Sequence, residues 1–378
     1  MTDLPPLLEK LAREIDMTGP MRVDQFMAMA MTDPDYGYYS TGAPIGADGD
    51  FITAPEISQM FGELLGLWAV DTWQRLGCPD PFYLVELGPG RGTLMVDALR
   101  AAGAVRPFMT AMRLHMVEAS GPMRVMQSTK IAHTIEHHYS LDEVPTDAPL
   151  ILIANEFLDA LPIRQFQKTG RGWCERLVGL DRKPTLPGLP KPDAPSLCFA
   201  LLNEPINDPI GQLGARVRGA LPGAIAETCP GGETLVEALS HRLIAQGGAA
   251  LFIDYGPAQS GLGDTLQALK DHQYCNVLTT PGQADLTAHV DFDRLARIAN
   301  KAGAQAYPIA TQGAFLEELG ISYRANSLKK TGRAADIETA RKRLVDTDQM
   351  GELFKVLGLS APGLPGLAGL PMNTDGLS

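Results

Sequence analysis

Three glycines at alternate positions, Gly88, Gly90 and Gly92, follow an apolar run and precede a helix-like stretch in LVELGPGRGTLMVDALR (84–100). Glycine has no Cβ, so a ligand can approach the backbone of such a loop closely. The spacing is not the dinucleotide fingerprint G-x-G-x-x-G, whose third glycine would fall on Thr93. It is not a P-loop either, since no Gly-Lys-Ser/Thr follows. A tight turn without a ligand is the alternative, and we favour a ligand-binding loop.

Two acids lie at the ends of the strands predicted on either side of this loop. Glu86 would repel a pyrophosphate, but it would attract a sulfonium or an ammonium group. Glu118 ends MRLHMVE (112–118), where an acid of a nucleotide-binding unit accepts the ribose hydroxyls. E-x-G-x-G-x-G after the first strand of an α/β sheet is the pattern of class I S-adenosylmethionine methyltransferases. We therefore predict S-adenosylmethionine as the cofactor; a solvent-facing Glu118 is the alternative.

Polar residues also follow two later apolar runs. Asn155, Glu156 and Asp159 come after APLILIA, and Asp254 comes after AALFI. Ligands of open α/β sheets bind beyond the carboxyl ends of the strands, so we expect these residues near the cofactor. Carboxylates there could hold a guanidinium, orient one nitrogen and take up charge as a proton leaves. We predict Asn155, Glu156 and Asp159 as catalytic residues. In the alternative, Asp159 caps a helix and Glu156 pairs with an arginine elsewhere.

Alternating strands and helices must position these residues, which predicts an α/β fold with a mostly parallel sheet. The expected strands are 82–87, 112–118, 148–154 and 249–256. The expected helices are 4–31, 58–77, 93–103 and 233–246, and 41–58 is expected to be a loop. Antiparallel strands at 163–167 and 173–180, with a Pro-rich stretch over 181–195, indicate an insertion at about 160–230.

Three parts of the chain follow from this pattern. A helical extension with a cofactor-closing segment is expected over 1–80, and a Rossmann-like methyltransferase domain with the inserted substrate subdomain over 81–330. A C-terminal helix and an irregular, Gly/Pro-rich tail are expected over 331–378, with the tail at 358–371.

Composition excludes several other classes of protein. A net charge of −12 and a pI of about 5.1 argue against a nucleic-acid binder, which normally needs a basic surface. Five scattered cysteines without a CxxC motif indicate reduced thiols in a cytosol-like compartment. No apolar run of about 18 residues occurs, so we expect no membrane insertion. We expect no metal site: His133 and His137 are one helical turn apart, but we interpret them as a solvated helix end.

Several motifs together resemble the MidA family, S-adenosylmethionine-dependent methyltransferases linked to mitochondrial complex I assembly. The resemblance covers about residues 20–330 and is carried by GDFITAPEISQMFGELLG (49–66), LVELGPGRGTLMVDALR (84–100), IANEFLDALPIRQF (153–166), FIDYG (252–256) and DLTAHVDF (285–292). It implies a protein substrate, an arginine of the 49-kDa-type subunit of complex I that is methylated symmetrically. Because the chain begins at the family's N-terminal helix, we expect a cytoplasmic bacterial protein or a processed protein of the mitochondrial matrix. A homodimer is possible.

The resemblance also implies roles for individual residues. Gly88, Pro89, Gly90 and Gly92 match the cofactor loop, and Glu118 matches the ribose-binding acid. Thr53, Pro55 and Glu56 match the segment that closes over the methionine end of the cofactor. Asp254, Tyr255 and His289 match residues of the substrate side.

Three other functions remain open from the sequence. They are a small-molecule methyltransferase, a cofactor-binding assembly chaperone without catalysis, and a nicotinamide oxidoreductase. Thr93, in the place of the third glycine, disfavours the oxidoreductase.

Overall fold

The computed structural model describes residues 5–40, 53–182 and 195–371 of the 378-residue chain. Within these ranges the α-helices are α1 (Pro6–Thr18), α2 (Val23–Thr32), α3 (Ala54–Ile57), α4 (Gln59–Arg75), α5 (Thr93–Ala102), α6 (Arg106–Ala111), α7 (Gly121–Lys130), α8 (Pro209–Leu213), α9 (Pro230–Gln246), α10 (Phe292–Lys301), α11 (Gln312–Glu318), α12 (Ile321–Leu328), α13 (Ala334–Val345) and α14 (Met350–Leu353). The strands are β1 (Met21–Arg22), β2 (Phe82–Leu87), β3 (Met112–Val117), β4 (Ile135–His138), β5 (Leu150–Asn155), β6 (Arg164–Thr169), β7 (Gly172–Leu180), β8 (Leu197–Pro205), β9 (Ile225–Thr228), β10 (Gly248–Tyr255), β11 (Gln267–Lys270), β12 (Gln273–Cys275), β13 (Asp285–Thr287), β14 (Gln305–Ala306), β15 (Ala310–Thr311) and β16 (Phe354–Ser360).

An eight-stranded sheet has the order β14-β16-β10-β5-β2-β3-β4, with β15 also pairing with β16. The strands from β10 through β5, β2 and β3 to β4 are parallel, whereas β16 is antiparallel to β10. On β2, Leu84 packs into one hydrophobic cluster, while Tyr83 and Val85 pack into another. Successive strand residues point to opposite faces, so the sheet is buried on both sides. The predicted α/β fold with a mostly parallel sheet is confirmed.

The inserted segment forms an antiparallel sheet with the order β1-β7-β6-β9, in which β8 also pairs with β7. The two strands predicted by sequence are confirmed as β6 and β7. Met21 of β1 pairs with Val178 of β7, so the N-terminal extension and the insertion share this sheet. A three-stranded sheet, β12-β11-β13, packs beside them, because Leu286 of β13 lies in the same hydrophobic cluster as Val178 and Phe26 of α2.

The single helix predicted over residues 4–31 was wrong, because the helical conformation is interrupted between α1 and α2. Gly19 has a φ of +90°, which is a left-handed conformation that favours glycine. Pro20 follows it and cannot donate a backbone hydrogen bond to continue the helix. The break allows β1 to form and to pair with the insertion.

The irregular tail predicted over 358–371 was also wrong in its first part, because β16 runs to Ser360 and is buried along its whole length. Its central glycine, Gly358, is required by close packing: a Cβ there would lie 2.2 Å from Cδ1 of Leu370. The C-terminal part of the chain therefore supplies an internal strand of the main sheet. Residues 183–194 of the Pro-rich stretch lie outside the described residues. No helix within the described ranges is long and apolar enough to cross a membrane.

A buried acid joins three helices on one side of the sheet. Glu63 of α4 accepts hydrogen bonds from Arg324 of α12 at 2.7 and 2.8 Å and from Arg100 of α5 at 2.6 Å. Burial alone would raise the pKa of Glu63, but the bonds from Arg324 and Arg100 outweigh it and lower the pKa.

We expect Glu63→Ala to lower the free energy of unfolding by about 2–3 kcal/mol at pH 7. This is less than the roughly 3–5 kcal/mol of a fully buried pair, since both arginines reach solvent. Asp71→Ala is the matched control, because it breaks an exposed pair with Arg75 on the same helix and should cost under about 1 kcal/mol. Urea titration measures both.

The pH dependence of this difference has a defined sign. Because the folded pKa of Glu63 is lowered, its contribution is present above the unfolded value near 4.5 and is lost as pH falls through the folded pKa. A difference between wild type and Glu63→Ala that stayed constant down to strongly acidic pH would contradict this assignment.

Candidate active site

A cavity of about 540 Å³ opens at the carboxyl ends of β2, β3 and β5. Glu86 and Gly88 line it at the end of β2, Glu118 lines it directly after β3, and Asn155 and Glu156 line it at the end of β5. The structure therefore brings together polar residues that sequence places at three separate strand ends. The agreement follows from the parallel arrangement, which gathers the carboxyl ends at one edge.

The glycine loop has the backbone that its sequence predicts. Gly88, Gly90 and Gly92 have φ values of +60°, +50° and +75°. At Gly88 a Cβ would also lie 2.7 Å from Cδ2 of Phe157. Gly88, Pro89 and Gly90 line the cavity, and α5 begins directly after Gly92. The loop thus presents backbone to the cavity, in a conformation that L side chains rarely adopt.

Glu86 is buried at the end of β2 and lines the same cavity. None of the described residues forms a hydrogen bond with its Oε2. Burial raises the pKa of Glu86 to about 8, and the charge of Glu118 adds to this effect. A buried carboxylate oxygen without a partner is costly, and a cation or an N–H donor in the cavity would satisfy it. The residue therefore fits the cationic methionine end of S-adenosylmethionine.

Glu118 is held in place by its surroundings. Its Oε1 accepts the N–H of Ser120 at 2.8 Å, and its Oε2 accepts Nε2 of Gln127 at 3.3 Å. The same Gln127 amide donates to the carbonyl of Gly90 at 2.7 Å. Gln127 thereby connects the glycine loop to the acid expected to bind ribose. Sequence reasoning missed it, since nothing in its spacing distinguishes a buried glutamine of α7 from a surface one.

His137 completes this connection, because its Nε2 lies 2.9 Å from Oε1 of Gln127. The solvated helix end predicted for His133 and His137 was wrong: His137 belongs to β4. The reason is that β4 pairs with β3 along its length, and this pairing determines the conformation of the segment.

Three residues that could hold a metal ion lie on the other face of β3 and β4, opposite His137. His115, Glu136 and His138 each bring one ligand atom within 4.8 Å of the others. The two imidazoles already contact each other, with Nδ1 of His115 lying 2.9 Å from Nε2 of His138.

The segment predicted to close over the cofactor lines the cavity through Thr53, Pro55 and Glu56. Oγ1 of Thr93 donates to Oε1 of Glu56 at 2.6 Å, which ties α3 to the start of α5. Residues 41–52 of this segment lie outside the described residues. The loop predicted over 41–58 was wrong at 54–57, where proline at the second position of APEI is compatible with the first turn of a helix.

Glu156 follows β5 in an unusual conformation. Its φ is +49°, which is rare for a residue other than glycine. Its N–H donates to the carbonyl of Ile253 at 2.9 Å. Its Oε1 accepts from the N–H of Ala54 at 2.9 Å and from Nδ2 of Asn155 at 3.0 Å. Burial raises the pKa of Glu156 to about 8. The arginine partner considered as an alternative is absent among the described residues.

Asp159 lies three residues further along and also lines the cavity. Burial raises its pKa to about 6, although a hydrogen bond with the hydroxyl of Tyr255 opposes this effect. No described helix begins directly after Asp159, so the capping role considered as an alternative does not apply.

The three residues predicted on the substrate side have different positions. Asp254 is buried beneath the turn, where its Oδ2 accepts the N–H groups of Phe157, Leu158 and Asp159 at 3.1, 2.9 and 3.1 Å. It does not line the cavity, because its carboxylate is fully used in holding this turn. Tyr255 does not line the cavity either, but it is hydrogen-bonded to Asp159, which does. His289 lines a second cavity of about 520 Å³ and packs edge-on against Tyr255.

Similarity to known proteins shows which family the chain belongs to. A family model described as "Putative S-adenosyl-L-methionine-dependent methyltransferase" matches residues 64–310. The chain belongs to this methyltransferase family. The zebrafish (Danio rerio) mitochondrial protein arginine methyltransferase NDUFAF7 is 36% identical, with 92% of this chain and 85% of the relative covered. The human (Homo sapiens) protein of the same name is 34% identical, with coverage of 94% and 83%.

A solved structure agrees with this assignment. The crystal structure of a COG1565 superfamily member from Burkholderia thailandensis, bound to S-adenosyl-homocysteine, superimposes on the methyltransferase with a TM-score of 0.80 and 28% identity. The match covers 96% of this chain and 93% of that one. The resemblance to the MidA family and the cofactor prediction are thereby confirmed.

We expect Gly90→Val to abolish binding of S-adenosylmethionine by the methyltransferase, with affinity at least about 100-fold weaker, or roughly 2.7 kcal/mol. A branched side chain at a φ of +50° is strained and would project from a loop that lines the cavity. Isothermal titration calorimetry measures the affinity, with NAD as a second ligand that should not bind.

Gly219→Val is the matched control for Gly90→Val. Gly219 has a similar φ of +72°, but it has open space around it and does not line the cavity. Equal loss of cofactor binding in both variants would mean that backbone strain, and not the loop's contact with the cofactor, causes the effect.

Proposed function

We propose that this methyltransferase transfers a methyl group to an arginine side chain of a protein partner. The observation that carries the proposal is a pair of acids, Glu156 and Asp159, which line the same cavity as the glycine loop. Among the described residues no lysine or arginine pairs with either acid. A guanidinium is always charged and offers five N–H donors in a planar fork, so it complements this arrangement. The names of the zebrafish and human relatives support the same acceptor.

The proposed roles of the residues follow from charge and position. When bound, S-adenosylmethionine supplies an electrophilic methyl group on a sulfonium. Glu156 and Asp159 bind the guanidinium and orient one nitrogen, so that much of the catalysis is positioning. The nitrogen that gains the methyl group loses one proton, and the Glu156 carboxylate accepts it. A pKa of about 8 suits this role, since a general base is most effective when its pKa is near the working pH.

The proposed partner is a protein subunit of a respiratory complex, of the 49-kDa type of complex I, as the family resemblance implies. The insertion supports a protein partner, because Leu161, Pro162 and Gly231 line the cavity at the two ends of the inserted sheet. The proposed compartment is the bacterial cytoplasm, or the mitochondrial matrix for a processed chain; the named relatives are mitochondrial.

We also propose that the protein forms a homodimer. Analytical ultracentrifugation measures the mass of the assembly in solution and tests the dimer directly.

We expect Glu156→Gln to lower methyl transfer to the purified 49-kDa-type subunit by about 100-fold or more, as loss of a general base commonly does. Affinity for S-adenosylmethionine should stay within about threefold, because the glycine loop and Glu118 are unchanged. Transfer of labelled methyl groups and mass spectrometry of the product measure the rate and the modified residue.

Glu237→Gln is the control for Glu156→Gln, since it removes an exposed acid of α9. Modification of lysine, or of a small molecule only, would contradict the arginine proposal. Unchanged maturation of the partner by a catalytically dead Glu156→Gln would favour the assembly chaperone instead.

The rate should depend on pH in a direction set by Glu156. Below a pKa of about 8 the side chain is protonated, so it neither attracts the guanidinium nor accepts its proton. At saturating cofactor, kcat/KM for the acceptor should therefore rise with pH up to about 8, and Glu156→Gln should flatten the profile. A wild-type profile that falls over the same range would contradict the assigned base.

A further inference from the structure

A second acidic element lines the cavity, at some distance in sequence from Glu156 and Asp159. Asp285 and Thr287 of β13 both line it, whereas Leu286 between them is buried in a hydrophobic cluster with α2. This alternation is that of a strand with one face toward the core and one toward the cavity. Sequence reasoning expected His289 from the same motif, but the strand presents Asp285 and Thr287 instead.

Asp285 is positioned by a tyrosine from the N-terminal extension. The hydroxyl of Tyr39 donates to Oδ1 of Asp285 at 3.3 Å. Tyr39 is itself anchored: its ring packs edge-on against Tyr38, with centroids 5.4 Å apart, and its N–H donates to the carbonyl of Met31 at 3.0 Å. The hydrogen bond thus connects the carboxylate of Asp285 to a ring that is itself anchored.

The charge of Asp285 on β13 affects the acid that follows β5, because both residues line the same cavity. Burial is the main cause of the raised pKa of Glu156, but the charges of Asp159 and Asp285 contribute to it. The charges of Asp285 and Asp159 likewise add to the burial that raises the pKa of Tyr39. Like charges that raise each other's pKa in a shared cavity favour a bound cation.

An independent observation specifies what kind of cation. Asn155 is only 8% exposed and lines the cavity, and its Oδ1 has no hydrogen-bond partner within the part of the chain that the structure describes. The amide nitrogen of Asn155 is already used in the bond to Glu156. The acceptor oxygen thus lacks an N–H donor that a ligand in the cavity could supply. A planar cation with several N–H donors meets this need better than a single ammonium group.

We propose that Asp285, held by Tyr39, forms a second carboxylate wall of the acceptor site and makes it selective for a guanidinium over an ammonium group. The inference rests on the proposed arginine acceptor and goes beyond it by naming what determines the selectivity. Glu156 and Asp159 bind the group from the turn after β5, and Asp285 binds it from β13. Tyr39 is a positioning residue that acts through Asp285.

The test uses two uncharged-backbone probes, N-acetyl-arginine methylamide and N-acetyl-lysine methylamide, titrated into the full chain with S-adenosyl-homocysteine bound and followed by NMR. Wild type should bind the arginine probe at least about tenfold more tightly than the lysine probe. Asp285→Asn should weaken arginine binding by about 10–100-fold and lysine binding by under about threefold, removing the preference. Tyr39→Phe should weaken arginine binding by about 3–10-fold.

Asp271→Asn is the matched control, because it removes the same charge from the loop between β11 and β12, outside the cavity. Affinity for S-adenosyl-homocysteine, unchanged in every variant, shows that the fold is intact. If Asp285→Asn loses affinity for S-adenosyl-homocysteine, its fold is not intact and Tyr39→Phe becomes the test. Unchanged preference for the arginine probe in Tyr39→Phe would then overturn the inference.

Two failures are distinguishable. If wild type prefers the arginine probe and Asp285→Asn keeps that preference, the inference is overturned and the proposed function stands. If wild type shows no preference for the arginine probe, the proposed function and the inference both fail.

Discussion

The acceptor side of the cavity depends on one buried carboxylate, that of Asp254. The turn after β5 leaves the sheet with N–H groups that no strand can pair, and each unpaired buried donor would cost about 1–3 kcal/mol. Oδ2 of Asp254 accepts three of them, from successive residues. Because Asp254 is the penultimate residue of β10, the strand beside β5, the parallel sheet itself positions this acceptor. Glu156 and Asp159 occupy their places in the cavity because the turn that carries them is fixed from below.

The same turn departs from the ordinary rules of stability. Glu156 has a φ of +49°, a conformation that costs on the order of 1–3 kcal/mol outside glycine. It is also one of several acids buried close together: the charges of Asp159 and Asp285 add to the burial that raises the pKa of Glu156, and the charge of Glu156 helps to raise the pKa of Asp254. Backbone strain and repulsion between buried charges are rare in protein cores, and they occur mainly at sites that bind a ligand or catalyse a reaction. Strain and charge therefore coincide at Glu156, the residue that we propose as the base.

Sequence predicts the parts of this structure that follow from local pattern. The parallel strands, the glycine loop and the acids at strand ends could be located, because each depends on the chain near it. Whether a strand-end acid faces the cavity or supports a neighbouring turn is decided by the adjacent strand, so Asp254 could not be distinguished from Glu156. Tyr39 and Asp285 are 246 residues apart and meet only through tertiary packing. Gly358 indicated an irregular tail, yet it allows Leu370 to pack on an internal strand.

The proposed acceptor site draws on three separately formed units. Glu156 comes from the main sheet, Asp285 from the three-stranded sheet, and Tyr39 from the N-terminal extension that also pairs with the insertion. Repulsion among the acids opposes the packing of these units, and a bound cation removes that repulsion. A ligand that binds only the packed arrangement stabilises it in proportion to its affinity. In the proposed site, binding of the acceptor therefore stabilises the packing of the extension against the two sheets.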